Sequence, residues 1–440
     1  MTTKQRIWLG ILAALVIGGI VLALPPVWSR VSFHASEIYA DVKYALFPPE
    51  KSMFTPGQST PDSIASAVAA TLTAMAPTAS PTLQITLLPN EPSPTPTITP
   101  TPLPSRVLLT GTRPEPQTWN NCGPATLSMA LSFYGWKGTQ ADIAPILKPN
   151  DRDKNVMPYE MVDYVNTHTD LRALTRIGGD LNTLKLLLAS GFPVVIEKGF
   201  EPANLSEGWM GHYNLVIGYD DSTQQFTTQD SYLLIRQEDW QHSQGIQIAF
   251  ADVEKNWRAF DFVFVVIYPP EKQNDVLNAL GPLGDEMLAA RAAYNRAVAE
   301  TASLTDVRDR FFAWYNVGSS SVALQDYAGA ATAYDMAFNT MPQISEKLRP
   351  WRMIWYQTGP YFAYYYTARY QDVVNLATQS LDAMSEKVLE ESFYWRAQAE
   401  LALGEQSAAI DDLNQALAVH AGFGPALDLL SQLGVAPTGS

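Results

Sequence analysis

The spacing of apolar positions changes character several times along the chain. From Ile7 to Trp28 no residue is charged, and a run of about 20 apolar residues at 1.5 Å each matches the hydrocarbon thickness of a bilayer. Lys4 and Arg6 precede this run, Arg30 follows it, and Trp8 and Trp28 stand where interfacial aromatics sit, so residues 1–30 are expected to form one transmembrane anchor. A cleaved signal is the weaker reading, because Leu22-Ala23-Leu24-Pro25 offers no small-x-small cleavage site. Residues 31–104 are expected to be a juxtamembrane segment and a disordered stalk. Nine prolines and seven threonines between Pro77 and Pro104 rule out sheet ladders and a buried core. At ~3.1 Å per residue that stretch reaches roughly 90 Å.

From residue 105 to 270 the periods mix. Short apolar runs, "RVLLTG", "FPVVIEKG" and "DFVFVVIYPP", read as strands, and "YNLVIGYD" and "FTTQDSY" read as two strands joined by a polar turn. Helical periods fall at Pro124–Tyr134, Pro158–Asn166, Leu181–Ala189 and Phe250–Trp257, which makes this one α+β domain. After residue 270 strand signals stop and an alanine-rich helical period occurs three times, in "LQDYAGAATAYDMAF", "TARYQDVVNLATQSL" and "LGEQSAAIDDLNQAL". Alignment of Tyr327, Tyr370 and Gln406 gives spacings of 43 and 36 residues. With small residues where paired helices touch, residues 271–440 resemble tetratricopeptide repeats, an all-α domain, with "GFGPALDLLSQLG" as the capping helix.

Charge narrows the choice of partners. The net charge is −15, split as zero over residues 1–104, −6 over 105–270 and −9 over 271–440, with no basic stripe, so nucleic acid is not an expected partner. One cysteine and five scattered histidines offer no metal-ligand spacing, and no cofactor is implied. With the anchor inserted and the rest outside, the lone Cys122 sits in an oxidising compartment where it cannot belong to a disulfide framework.

Cys122 stands in "NNCGPATLSMALSFYG". Pro124 suits a first helical turn and Gly135 a helix end, so Cys122 falls at a helix N-terminus, where the dipole stabilises a thiolate. The bland alternative is a small core residue. A nucleophilic cysteine needs a base and a group to orient that base. His34 abuts the membrane segment, His420 lies in the repeats, and His168 and His242 read as loop residues. His212 opens an alternating strand. If Tyr219 pairs with Thr223 around the turn Asp220-Asp221-Ser222, His212 faces Asp230 directly, close enough for a carboxylate to fix the imidazole. Gln117, five residues before the cysteine, can add its amide to the Cys122 N–H as an oxyanion donor.

With Gln117, "NNCGPATLSM", "GHYNLVIGYD" and "QDSY" in that order, residues 105–270 resemble the papain-like cysteine peptidases related to the bacteriocin-processing, double-glycine-leader peptidases. The resemblance implies a papain-like fold, with Cys122 as nucleophile, His212 as general base and acid, Asp230 as the orienting acid and Gln117 as the oxyanion donor. It departs from the family in one respect. Leader peptidases of that type are usually fused to exporter ATPases, and no Gly-x-x-x-x-Gly-Lys-[Ser/Thr] loop is present. The expected protein is therefore a membrane-anchored, extracytoplasmic peptidase acting on a peptide or protein substrate, with the repeats as a recognition surface for a protein partner. Two alternatives stand beside it: a peptidase-like adaptor without useful turnover, and an amidase or transpeptidase using the same residues. The aromatic stretch Trp351–Tyr370 reads as filling between helices or as a dock onto the peptidase region, and less readily as a peptide groove.

Overall fold

A computed structural model describes residues 24–46, 53–57 and 102–438 apart from 151, 154 and 202–207, with scattered positions between 3 and 19. Nearly all of the proline-rich stretch lies outside the described residues, as does much of the expected membrane span. Among the described residues no helix is long and apolar enough to cross a membrane. Helix α1 (Pro25–Leu46) begins with the last four residues of that uncharged run. Phe33, Glu37 and Ala40 recur on one face and are buried, so α1 lies on the body of the protein along a stripe of helical period.

Among the described residues seven strands make one antiparallel sheet: β1 (Arg106–Leu108), β2 (Arg172–Arg176), β3 (Val194–Phe200), β4 (Met210–Asp220), β5 (Gln225–Gln229), β6 (Ile246–Ala249) and β7 (Phe264–Tyr268). The spatial order is β2-β7-β3-β4-β5-β6, and β1 pairs with the far end of β4. One face packs against α2 (Cys122–Phe133), α3 (Gln140–Leu147) and α4 (Pro158–His168) through Leu127, Leu131, Ile143 and Met161. The other face packs against α5 (Leu181–Ala189), α7 (Phe250–Trp257) and α8 (Gln273–Leu280) through Leu184, Leu187, Trp257 and Val276. Between β5 and β6 a single turn, α6 (Ser231–Leu234), replaces the end of the strand predicted from "FTTQDSY". Asp230 causes the change, because its carboxylate caps the Tyr232 and Leu233 N–H groups and draws the chain out of the ladder.

The C-terminal part is helical: α9 (Glu286–Ser303), α10 (Val307–Ala323), α11 (Tyr327–Thr340), α12 (Met353–Tyr356), α13 (Gly359–Tyr366), α14 (Tyr370–Asp382), α15 (Glu390–Leu403), α16 (Gln406–Val419) and α17 (Gly424–Gln432). Tyr327, Tyr370 and Gln406, aligned above from spacing, each begin a helix. Between α11 and α13 the chain makes short turns and α12, which accounts for the longer first spacing. The core of this part is not closed on itself. Trp209, Ala259, Phe260 and Val263 of the sheet region belong to the same buried cluster as Tyr315, Tyr334, Tyr356 and Tyr364. Phe54 inserts there too, against Phe338 and Tyr364.

Candidate active site

Helix α2 begins at Cys122 itself, two residues earlier than the periodicity predicts. Asn120 takes a left-handed backbone (φ 55°), a conformation its short amide tolerates, and this turns the chain into the helix. No side chain caps the first turn and Pro124 has no N–H, so the Cys122 and Gly123 amides are the donors at this helix end. Cys122 is partly exposed and is a free thiol.

His212 and Asp230 meet, but by a different route from the one the sequence suggests. The expected turn pairing of Tyr219 with Thr223 is wrong: Tyr219 pairs with Phe226, and the register shifts by one residue at Ile217, so that Val216 pairs with Thr228. Continued past β5, that ladder would set His212 opposite Tyr232, two residues beyond Asp230 and on the same face. The bulge decides this, since without it the alternation would send Asp230 to the other side of the sheet. His212 Nε2 lies 2.8 Å from Asp230 Oδ1.

The pair is buried, with His212 3% exposed and Asp230 wholly enclosed. Asp230 Oδ1 accepts from the Tyr232 and Leu233 N–H groups at 3.0 and 3.1 Å. Its Oδ2 faces Lys198 Nζ at 3.7 Å and, with the Asn214 amide turned to donate, Asn214 Nδ2 at 3.1 Å. Burial disfavours the carboxylate, but His212, Lys198 and the backbone donors outweigh it, and Asp230 is held well below the usual carboxylate range.

Burial also works against a charged imidazole. Asp230, through charge and hydrogen bond, and Cys122 together overcome it, pushing His212 up to about 9. For the thiol the balance is similar: burial raises its pKa, the hydrogen bond and charge of His212 outweigh burial, and the Tyr213 backbone and Lys148 add to the lowering. A thiol lowered beside an imidazole raised favours a thiolate–imidazolium pair. Phe200 stacks on the His212 ring with centroids 4.6 Å apart, and Tyr232 closes on Phe200 at 5.1 Å. Phe33 of α1 then packs edge-on to Tyr232 and against Trp119, so the N-terminal helix finishes this aromatic wall.

Gln117 is buried, and its Oε1 accepts from Ser231 Oγ at 2.9 Å while its N–H donates to Ser231 O at 3.0 Å. With the carbonyl end occupied, the NH2 end is the one left to donate. The other histidines stand apart from this group: His34 pairs with Glu37, His242 with Asp239 and His420 with Glu390, and His168 stacks on Tyr164. Four participants were not singled out from the sequence. Asn214, two residues after His212 on the same strand face, was within reach of the alternation. Lys198 needed the β3–β4 register, Ser231 the departure of the chain at Asp230, and Tyr356, which lines the pocket at Cys122, comes from the helical part.

Among the described residues no group of three or more histidine, cysteine, aspartate or glutamate side chains could hold a metal ion.

Residues 110–265 match the model of the Peptidase_C39 like family. No curated protein matches the chain in sequence. Among solved structures, one from Bacillus anthracis described as a C39-like peptidase is 16% identical over 37% of this chain and 96% of its own, with a TM-score of 0.29. Xylellain, a cysteine protease from Xylella fastidiosa, is 13% identical over 50% of this chain and 94% of its own, also with a TM-score of 0.29. On the family match, the antiparallel sheet and its helices across residues 110–265 form a region similar to C39-like cysteine peptidases.

Proposed function

We propose that the protein is a cysteine peptidase that hydrolyses peptide bonds with Cys122 as nucleophile, His212 as general base and acid, Asp230 as the group that orients His212, and Gln117 as an oxyanion donor. One observation carries the reading: a buried imidazole bonded through Nε2 to the Asp230 carboxylate, and acting to lower the only thiol of the chain. The Cys122 thiolate attacks the carbonyl carbon, and the oxyanion forms beside the Cys122 N–H and the Gln117 amide. The C–N bond breaks as imidazolium gives its proton to the amine. His212 then takes a proton from water, whose hydroxyl displaces the sulfur and frees the carboxylate.

The uncharged run Ile7–Trp28 supports a membrane anchor, with the remaining chain extracytoplasmic. The helical part is proposed as a tetratricopeptide-like recognition surface for protein or peptide.

Full-length protein in detergent micelles, treated with a papain-type epoxide inhibitor and mapped by mass spectrometry, is expected to carry the adduct on Cys122. His212→Ala should carry none. Equal modification of both forms would remove His212 from the mechanism, and no modification of either would favour a binding adaptor. Water and a second amine compete for the same acyl-thioester, so product analysis with an added amine separates hydrolysis from acyl transfer.

A further inference from the structure

The space beside Cys122 is a small pocket with walls from Gly123, Val156 and Tyr213 and two side-chain acceptors, Glu197 and Asn155. Glu197 is 2% exposed and Asn155 7%. Asn155 gives its Nδ2 to Met157 Sδ, and its Oδ1 has no partner among the described residues. No lysine or arginine stands among the described residues that line the pocket, and Lys198, the neighbour of Glu197 on β3, is turned to Asp230. A buried acceptor without a donor, such as Asn155 Oδ1, is costly, and a ligand that brings N–H groups relieves that cost. Burial, joined by the charge of Cys122, outweighs the Tyr213 hydroxyl and pushes the Glu197 carboxyl well above its usual range, a shift that an arriving ammonium would oppose.

The pocket also has an end. Tyr356, on α12 of the helical part, lines it, and its ring is wedged against Phe260 at 6.0 Å and Trp209 at 6.1 Å. Gly211 makes that wedge fit, since a Cβ there would come within 2.8 Å of both Phe260 and Tyr356. The leaving amine must lie against His212, from which it takes a proton, and Phe200, Tyr232 and Phe33 wall that flank. The acyl half of a substrate therefore falls to the other side of the sulfur, in the capped pocket.

We propose that this pocket recognises a free peptide amino terminus, with the ammonium held by Glu197 and Asn155 and the chain stopped by Tyr356, so that bonds next to the amino terminus are cleaved in preference to internal ones. The proposal rests on Cys122 acting as the nucleophile. Small first residues suit a pocket in which Val156 and Met161 already close on Gly123.

Two chloromethyl ketones that differ only at the amino terminus, glycyl and acetyl-glycyl, test it on the full-length protein, with Cys122 modification followed by mass spectrometry. The free amine is expected to react about tenfold faster or more, the effect of one hydrogen bond to a charged group. Glu197→Gln should remove the difference, and Asn155→Ala carries the same expectation should that variant fail to fold. Tyr356→Ala should speed the acetylated probe. Iodoacetamide has no amino terminus and reports the thiol alone. Equal rates for the two ketones, with Cys122 still reacting with iodoacetamide in a His212-dependent way, would overturn amino-terminal recognition and leave the peptidase reading standing. A Cys122 inert to all three reagents would overturn both.

Discussion

At the scale of single residues, the site is a contest between burial and pairing that pairing wins twice. His212 is enclosed yet raised to about 9, because Asp230 first and Cys122 after it outweigh burial, and Cys122 is lowered because His212 outweighs desolvation. The sign for pH follows. The imidazolium is present below about 9 and is lost above it, while the thiolate is present above its depressed pKa and is lost below it. A profile of kcat/KM against pH should therefore hold a plateau that falls on the alkaline side near pH 9. A profile that stays flat through pH 9 and beyond would remove the imidazolium from the mechanism. Asp230→Asn should leave labelling by iodoacetamide measurable but move that limb to lower pH, since the carboxylate that raises His212 is gone. Gln117→Ala should cost about 10² to 10³ in kcat with little change in KM, the usual loss for one oxyanion donor. A change confined to KM would make Gln117 a binding residue.

At the scale of elements, two local features set the geometry. The bulge at Ile217 restores the alternation so that Asp230 and His212 share a face, and the Asp230 cap on α6 ends the strand at the point where the carboxylate is needed. Neither is written in the hydrophobic pattern. The strands flanking the turn were legible from their alternation, but turn length and one extra residue fix the register, and apolar periodicity does not report either. Helix α1 is the other case. Its stripe of Phe33, Glu37 and Ala40 is short and mixed, and it becomes meaningful only beside Trp119, Tyr232 and Arg236, the last 3.0 Å from Glu37. Phe33→Ala should loosen α1 from this wall: amide exchange across residues 25–46 is expected to accelerate, while exchange in β3 and β4 stays unchanged. Unaltered exchange in α1 would show that its ion pairs, not the aromatic contact, hold it.

At the scale of the whole molecule, the sheet region and the helices share a core, and their junction is polar where it crosses. Gln357 Nε2 donates to Ala259 O at 2.7 Å, Asn316 Nδ2 to Arg258 O at 2.7 Å, and Ser320 Oγ to Asp261 Oδ2 at 2.6 Å. Burial pushes the Asp261 carboxyl up to about 8; the Ser320 bond resists this, Glu300 adds to it and Arg296 opposes it. The folded state thus holds a proton that the unfolded chain releases near pH 4, so this group's stabilising proton is lost and stability declines as pH rises from there to about 8. Asp261→Asn keeps the shape and tolerates the left-handed backbone at this position (φ 49°). Its Tm should exceed that of the parent at pH 8.5, with the gap closing towards pH 5. A pH-independent difference would mean that lost packing, not the proton, sets the effect.

The sequence by itself determined the kinds of element and the chemistry they carry. Cys122 at a helix start, His212 on a strand and Asp230 after the turn could be read because helical and strand periods and capping residues act over a few neighbouring positions. Only the tertiary structure decided how those residues meet. The one-residue bulge sets the face on which they meet, and the Lys198 and Asn214 contacts on Asp230 and the Tyr356 cap on the Cys122 pocket join positions 16 to more than 200 residues apart. Such contacts arise from register and from the fit of large side chains between layers, and no local pattern of polar and apolar residues encodes either.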